Sequence, residues 1–199
     1  MQKPYAESCD QNGPPLLAVL RRLLPAAIDL LEIGSGTGQH AVMFAQALPE
    51  VNWFTSDRTE MHAGIHSWLD EVELTNLHRP IALDVLHDPW PARQFDAVFS
   101  ANTAHIMPPT AVEAMFTGVA RILRPGGLFL LYGPFKYDRE HTSESNLAFD
   151  NWLKTQDPQR GVRDVRWLQQ LAEPLGMELA DDIAMPTNNR TLVWRRRLQ

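Results

Sequence analysis

The chain has 199 residues, 44% of them hydrophobic and 21% charged, which places it with ordinary globular proteins and apart from disordered or fibrous ones. Its 18 basic residues against 24 acidic ones leave a formal net charge of −6, so no broad electrostatic footprint for nucleic acid or anionic lipid is expected. The lone Cys9 can form no intramolecular disulfide, and a reducing, cytoplasmic compartment is the simpler expectation.

Leu16 to Leu24 carries apolar residues at helical spacing behind Asn12, a good cap residue, and ends at Pro25. Glu7, Asp10, Pro14 and Pro15 ahead of it interrupt the apolar core that a secretory signal needs. Arg21, Arg22, Pro25 and Asp29 cut the apolar runs well short of the roughly 20 residues of a membrane span. Ile28 to Ile33, stopped by Gly34, suits a buried strand of a parallel sheet. Ala41 to Leu48 gives a helical face, and Val51 to Ser56 a second strand rich in branched and aromatic residues.

The alternation continues with a helix near Glu60 to Val72 and strands at Ile81 to Leu83 and Phe95 to Ser100. A helix near Ala111 to Leu123 then closes at Pro125-Gly126-Gly127, and Leu128 to Tyr132 forms a fifth strand. Strands alternating with helices imply right-handed crossovers and a mostly parallel sheet covered on both faces. The spacing further predicts a helix at Val165 to Leu175 and a closing hairpin of Met177 to Ala184 and Thr191 to Arg197 around Met185 to Arg190. The basic run Arg195 to Arg197 reads as the charged guard of an edge strand. One domain over residues 1–199 is expected, with the polar, weakly periodic stretch from Lys136 to about Gly161 as an insertion within it.

Glu32-Ile33-Gly34-Ser35-Gly36-Thr37-Gly38 joins the first strand to the first crossover helix. Glycines there permit positive φ and let a ligand approach the backbone, while the helix start offers unpaired N–H groups, so the turn suits a nucleotide-type ligand. The spacing is G-x-G-x-G. A dinucleotide fingerprint would place its third small residue at position 39, which is Gln39.

In these residues the chain resembles the class I S-adenosylmethionine-dependent methyltransferases, which carry an acidic residue two places before such a glycine cluster. Phe95-Asp96-Ala97-Val98-Phe99 and Leu123-Arg124-Pro125-Gly126-Gly127 resemble that family's fourth strand and the turn before its fifth. The resemblance implies a three-layer, Rossmann-like α/β fold with a seven-stranded sheet, and S-adenosyl-L-methionine as cofactor. By the same resemblance Glu32, Ser35 and the backbone of Gly34, Gly36 and Gly38 would hold its amino-acid part, Asp57 the ribose, Asp84 and Val85 the adenine, and Asn102 would line the methionine side. Trp90 would flank the adenine. Ser35 to Ala41, Tyr132 to Phe135, Glu140 to Asn146 and Ala184 to Asn189 also resemble a methyltransferase-like family labelled a domain of unknown function.

Methyl transfer to a small-molecule acceptor is therefore the expected activity. A non-catalytic S-adenosylmethionine-binding protein and, less favoured by the glycine spacing, a nicotinamide-dependent oxidoreductase are the alternatives. His105, after the fourth strand, and His141, in the insertion, are the base candidates. Tyr132, Tyr137, Ser145, Asn146, Asn188 and Asn189 are the candidates for acceptor contact, with Phe149 and Trp152 anchoring the insertion as a lid on the core. No histidine or cysteine spacing suggests a metal.

Overall fold

A computed structural model of the chain describes residues 3–198. The sequence patterns produce α1 (Glu7–Leu23), β1 (Ile28–Ile33), α2 (Gln39–Ala47), β2 (Val51–Asp57), α3 (His62–Leu69), β3 (Leu77–Ala82), β4 (Phe95–Ala101), α4 (Pro109–Ile122) and β5 (Leu123–Gly133). They are followed by β6 (Phe135–Tyr137), β7 (Glu140–His141), α5 (Glu144–Gln156), β8 (Arg163–Asp164), α6 (Val165–Ala172), β9 (Met177–Ala184) and β10 (Arg190–Arg196). The main sheet runs β3-β2-β1-β4-β5-β10-β9, parallel except for β10, which is antiparallel to both its neighbours. A small sheet, β7-β6-β8, stands apart from it.

Alternate residues of each central strand feed opposite faces, as the pleat requires. Leu30 of β1, Trp53, Phe99 and Leu130 pack against Leu16 and Leu20 of α1 and Phe44 of α2. Leu31, Ile33, Val98, Phe129 and Leu131 pack against α4 and α6. The sheet is thus covered on both sides, as expected for a parallel α/β domain.

Several boundaries differ from the sequence reading. The first helix starts at Glu7, five residues before Asn12, so Asn12 lies inside it, buried, with Oδ1 2.7 Å from His40 Nε2 on α2. The helix runs through Pro14 and Pro15, and tertiary packing on the sheet outweighs the backbone hydrogen bonds they forgo. The strand expected at Ile81 begins at Leu77 and accommodates Pro80 because β3 lies at the sheet edge. Pro125-Gly126-Gly127 falls inside β5, where the pairing with β4 jumps from Phe95↔Leu123 to Ala97↔Leu128. The polar insertion contains a helix, α5, capped by the Ser143 side chain on Asn146 N.

Three placements correct the sequence reading. Arg195 to Arg197 do not guard an edge: β10 inserts between β5 and β9, and Arg195 and Arg196 donate to the Gly126 and Leu123 carbonyls. Trp152 does not anchor on the core, being 54% exposed and stacked on Phe149 with ring centroids 5.8 Å apart. Trp90 packs on α4, where a Cβ added to Gly118 would lie 1.9 Å from Trp90 Cε2. Gly118→Ala is accordingly expected to destabilise the protein by about 1–3 kcal/mol, the range for overpacking, read as a lower midpoint in chemical denaturation.

Candidate active site

In an open parallel sheet the ligand crevice forms beyond the carboxyl ends of the strands where their order reverses. Here that point lies between β1 and β4, and the loops leaving those strands carry the glycine turn and Asn102.

Gly34, Gly36 and Gly38 all have positive φ, +72°, +59° and +92°. A Cβ at Gly34 would sit 2.6 Å from Thr103 Cγ2, so glycine there lets the loop from β4 close against the loop from β1. At Gly36 a Cβ would meet nothing within 4 Å, which leaves the backbone open to an approaching ligand. The turn is pinned from below by Gly34 N and Ser35 N, each 3.0 Å from the Ser56 carbonyl.

Two carboxylates serve this turn differently. Asp57, at the end of β2, accepts from Gly36 N and Arg58 N, both at 2.8 Å, and burial raises its pKa against those two bonds. Glu32 lies underneath, 2% exposed, accepting from Ser35 Oγ at 2.9 Å and Trp53 Nε1 at 3.1 Å. Burial pushes its pKa up to about 7, with the Trp53 and Ser35 bonds opposing. Glu32 therefore ties the loop to the sheet from within. Asp84 Oδ1 accepts from Leu86 N at 2.9 Å and shapes its own turn, while Val85 is buried in the α4-side core.

Beside the turn lies a cleft of about 490 Å³. Asn102 and His105 line it from the β4 loop, Tyr132 and Pro134 from the end of β5, and Ser145, Asn146 and Phe149 from α5. Asn189 reaches it because the β5–β10 register brings Arg190 opposite Gly133, and its Nδ2 donates to Tyr132 OH at 3.0 Å. Asn188 offers its carbonyl to Asn146 Nδ2 at 3.0 Å and so joins the β9–β10 turn to α5. Asn102 and Thr187, another wall residue, hold φ near +58° and +56°. Threonine is β-branched, and a left-handed backbone there is a strain that tends to mark functional loops.

His105 is 7% exposed and packs edge-on against Phe149 with centroids 5.3 Å apart. Burial, with Arg163 and Arg160 nearby, lowers its pKa to about 4 and keeps it neutral. The other histidine candidate sits elsewhere. His141 Nε2 lies 3.2 Å from Asp150 Oδ2, on a carboxylate shared with Lys154 and Val162 N, and His141 is not among the residues lining the cleft. Tyr137 also faces away, donating to Asp182 at 2.7 Å.

The sequence reading missed the α1 wall. Ser8, Gln11 and Asn12 line the cleft, and Gln39 explains how α1 is held there. Its side-chain amide accepts from Ala6 N at 2.6 Å and donates to the Ala6 carbonyl at 3.3 Å, pairing with both backbone groups. The departure from a small residue at position 39 was the available signal. Among the described residues no group of three or more histidine, cysteine, aspartate or glutamate side chains is placed to hold a metal ion, and no helix is long and apolar enough to cross a membrane.

The sheet order, the glycine turn after β1 and the antiparallel β10 inserted between β5 and β9 define a Rossmann-like methyltransferase fold. The chain belongs to the family described as "Protein of unknown function (DUF938)", whose model matches residues 3–196. Over 107 residues it is 30% identical to a fatty-acid O-methyltransferase of Mycolicibacterium smegmatis, covering 51% of this chain and 35% of that one. Its fold is similar to that of the S-adenosylmethionine-dependent methyltransferase SibL in its apo form, with a TM-score of 0.79 at 23% identity over 96% of this chain and 56% of SibL. Human N-acetylserotonin methyltransferase in complex with its methyl donor gives a TM-score of 0.77 at 15% identity, over 97% of this chain and 53% of that one. The chain thus spans about half the length of these structural relatives.

Proposed function

We propose that this protein is an S-adenosyl-L-methionine-dependent methyltransferase acting on a small molecule. The observation that carries the reading is the open backbone at Gly36, with Asp57 hydrogen-bonded beside it and the cleft of Asn102 and His105 across the crevice. The residues present fit the cofactor. Three positive-φ glycines leave a backbone that a ligand can reach, and a half-buried carboxylate at the end of β2 suits a ribose diol.

When bound, S-adenosyl-L-methionine supplies a sulfonium-activated methyl group. The glycine turn and Asp57 would hold it, Asp84 and Val85 would border its base, and Asn102 would lie on the methionine side. Methyl transfer is an in-line displacement, so the protein's chief task is to align the acceptor and exclude water. Tyr132, Ser145, Asn146, Asn188 and Asn189 would position the acceptor, and residues 136–161 would form the outer wall of its site. His105 is our choice for the acceptor's hydrogen-bond partner over His141, because it lines the cleft and is held in its neutral, proton-accepting form. A reducing, cytoplasmic setting agrees with Cys9, a free thiol whose pKa burial raises to about 11.

Calorimetric titration with S-adenosylhomocysteine and with NADH, followed by transfer of labelled methyl groups, tests the reading. Tight S-adenosylhomocysteine binding with transfer supports it. Preference for NADH would favour an oxidoreductase, and binding without transfer to any acceptor a ligand-binding protein. Asp57→Ala is expected to weaken S-adenosylhomocysteine by about 1–3 kcal/mol, the scale of a lost partner for buried polar groups, and to leave free methionine unaffected. Equal losses for both ligands would return Asp57 to a purely structural role.

A further inference from the structure

We propose that the cleft takes an uncharged, flat acceptor bearing hydroxyl or carbonyl groups at its edge. The proposal rests on the methyltransferase reading and specifies the molecule that the same site receives.

The first argument concerns charge. Every side chain on the cleft wall is neutral among the described residues, including His105, whose burial disfavours its protonated form. Three basic side chains around it are committed elsewhere, and a fourth, Arg160 near His105, lies 4.0 Å from Asp157. Arg163 donates to the carbonyls of Ala104, Met107 and Gln159, Arg190 is paired with Asp182, and Lys154 with Asp150. A carboxylate, phosphate or ammonium entering this cleft would lose water without meeting an opposite charge on its wall, which is unfavourable. Amides and hydroxyls carry no such bias. Asn102 offers both a donor and an acceptor to a neutral polar edge, and Asn189, whose Nδ2 is taken by Tyr132 and Thr187, offers its Oδ1 as an acceptor.

The second argument concerns shape. Phe149 is half-buried on the wall, with Trp152 stacked on it at an interplanar angle of 15° and His105 meeting it at 70°. A ring held from two sides presents a fixed apolar surface, which favours stacking or edge contact with another flat ring. Pro134 and Pro186 extend the apolar share of the wall. The wall thus combines apolar surface for a planar body with polar groups for its rim.

The test uses the full chain, with and without saturating S-adenosylhomocysteine, and three probes of one shape: 2-naphthol, 2-naphthoate and 2-naphthylmethylammonium, followed by saturation-transfer NMR and calorimetry at neutral pH. 2-Naphthol is expected to bind at least about tenfold more tightly than either charged probe. Phe149→Ala should weaken 2-naphthol by about tenfold while S-adenosylhomocysteine affinity reports that the variant is folded. Gln11→Glu, which adds a carboxylate at an exposed position on the wall, should strengthen 2-naphthylmethylammonium several-fold relative to 2-naphthol. The proposal is overturned if a charged probe equals 2-naphthol, if no probe binds, or if neither variant shifts its probe. Failure of S-adenosylhomocysteine itself to bind would overturn the cofactor reading instead, and the probe series without it separates the two results.

Discussion

S-adenosylhomocysteine is expected to raise the melting temperature of the parent protein, and Gly36→Arg to abolish that rise. A ligand that binds only the folded state stabilises it by mass action, so loss of binding removes the shift entirely. The substitution acts in two ways. At φ +59° a side chain costs about 1–2 kcal/mol in the left-handed region, a penalty a folded domain can absorb. The space above Gly36 holds no protein atom within 4 Å of an added Cβ, so the arginine side chain leaves the backbone into open space, on the side from which the ligand would approach. Calorimetry on the folded variant decides the matter, and unchanged affinity would remove the glycine turn from the binding site.

Glu32→Gln is expected to flatten part of the stability profile between about pH 4.5 and pH 7. The carboxyl titrates near 4.5 in the unfolded chain and near 7 when buried, so across that window the folded protein holds a proton that the unfolded chain has released. Stability contributed by this group therefore falls as pH rises through the window and levels off above it. The rise from 4.5 to about 7 corresponds to roughly 3 kcal/mol. Glutamine does not titrate, yet its carbonyl still accepts from Ser35 and Trp53. His40 and His105, both lowered to about 4 by burial, act in the opposite sense, losing stability as pH falls below about 6.5. The informative quantity is therefore the difference between variant and parent. The variant should gain relative stability with rising pH and be the more stable of the two above pH 7, and parallel profiles would show that Glu32 ionises freely in the fold.

The order of the central elements was written in the chain because strand and helix periods leave a local mark. Ile28 to Ile33 and Phe95 to Ser100 are short, mostly apolar runs, interrupted by Asp29, Glu32 and Asp96, that suit a sheet covered on both faces, and they fold as β1 and β4 near those limits. The glycine turn was legible for a similar reason, since backbone conformation at Gly34, Gly36 and Gly38 is a property of the residue itself.

What tertiary structure decided were the partners. Glu32 and Asp57 read alike as carboxylates beside a glycine turn, but one is enclosed by Ser35 and Trp53 and the other stands at the mouth of the crevice. His105 and His141 read alike as base candidates, and the packing within the insertion that puts Asp150 against His141 leaves His105 at the cleft. Asn12 read as a helix cap and became a wall of the cleft, because Gln39 grips Ala6 and draws the start of α1 across the glycine turn. Arg195 to Arg197 read as an edge, and the insertion of β10 between β5 and β9 put Arg195 and Arg196 on a strand paired on both sides. Periodicity determines which face of an element seeks the core, whereas the neighbour that meets that face comes from residues far away in the chain, and only their contact sets the burial, pairing and charge on which the site depends.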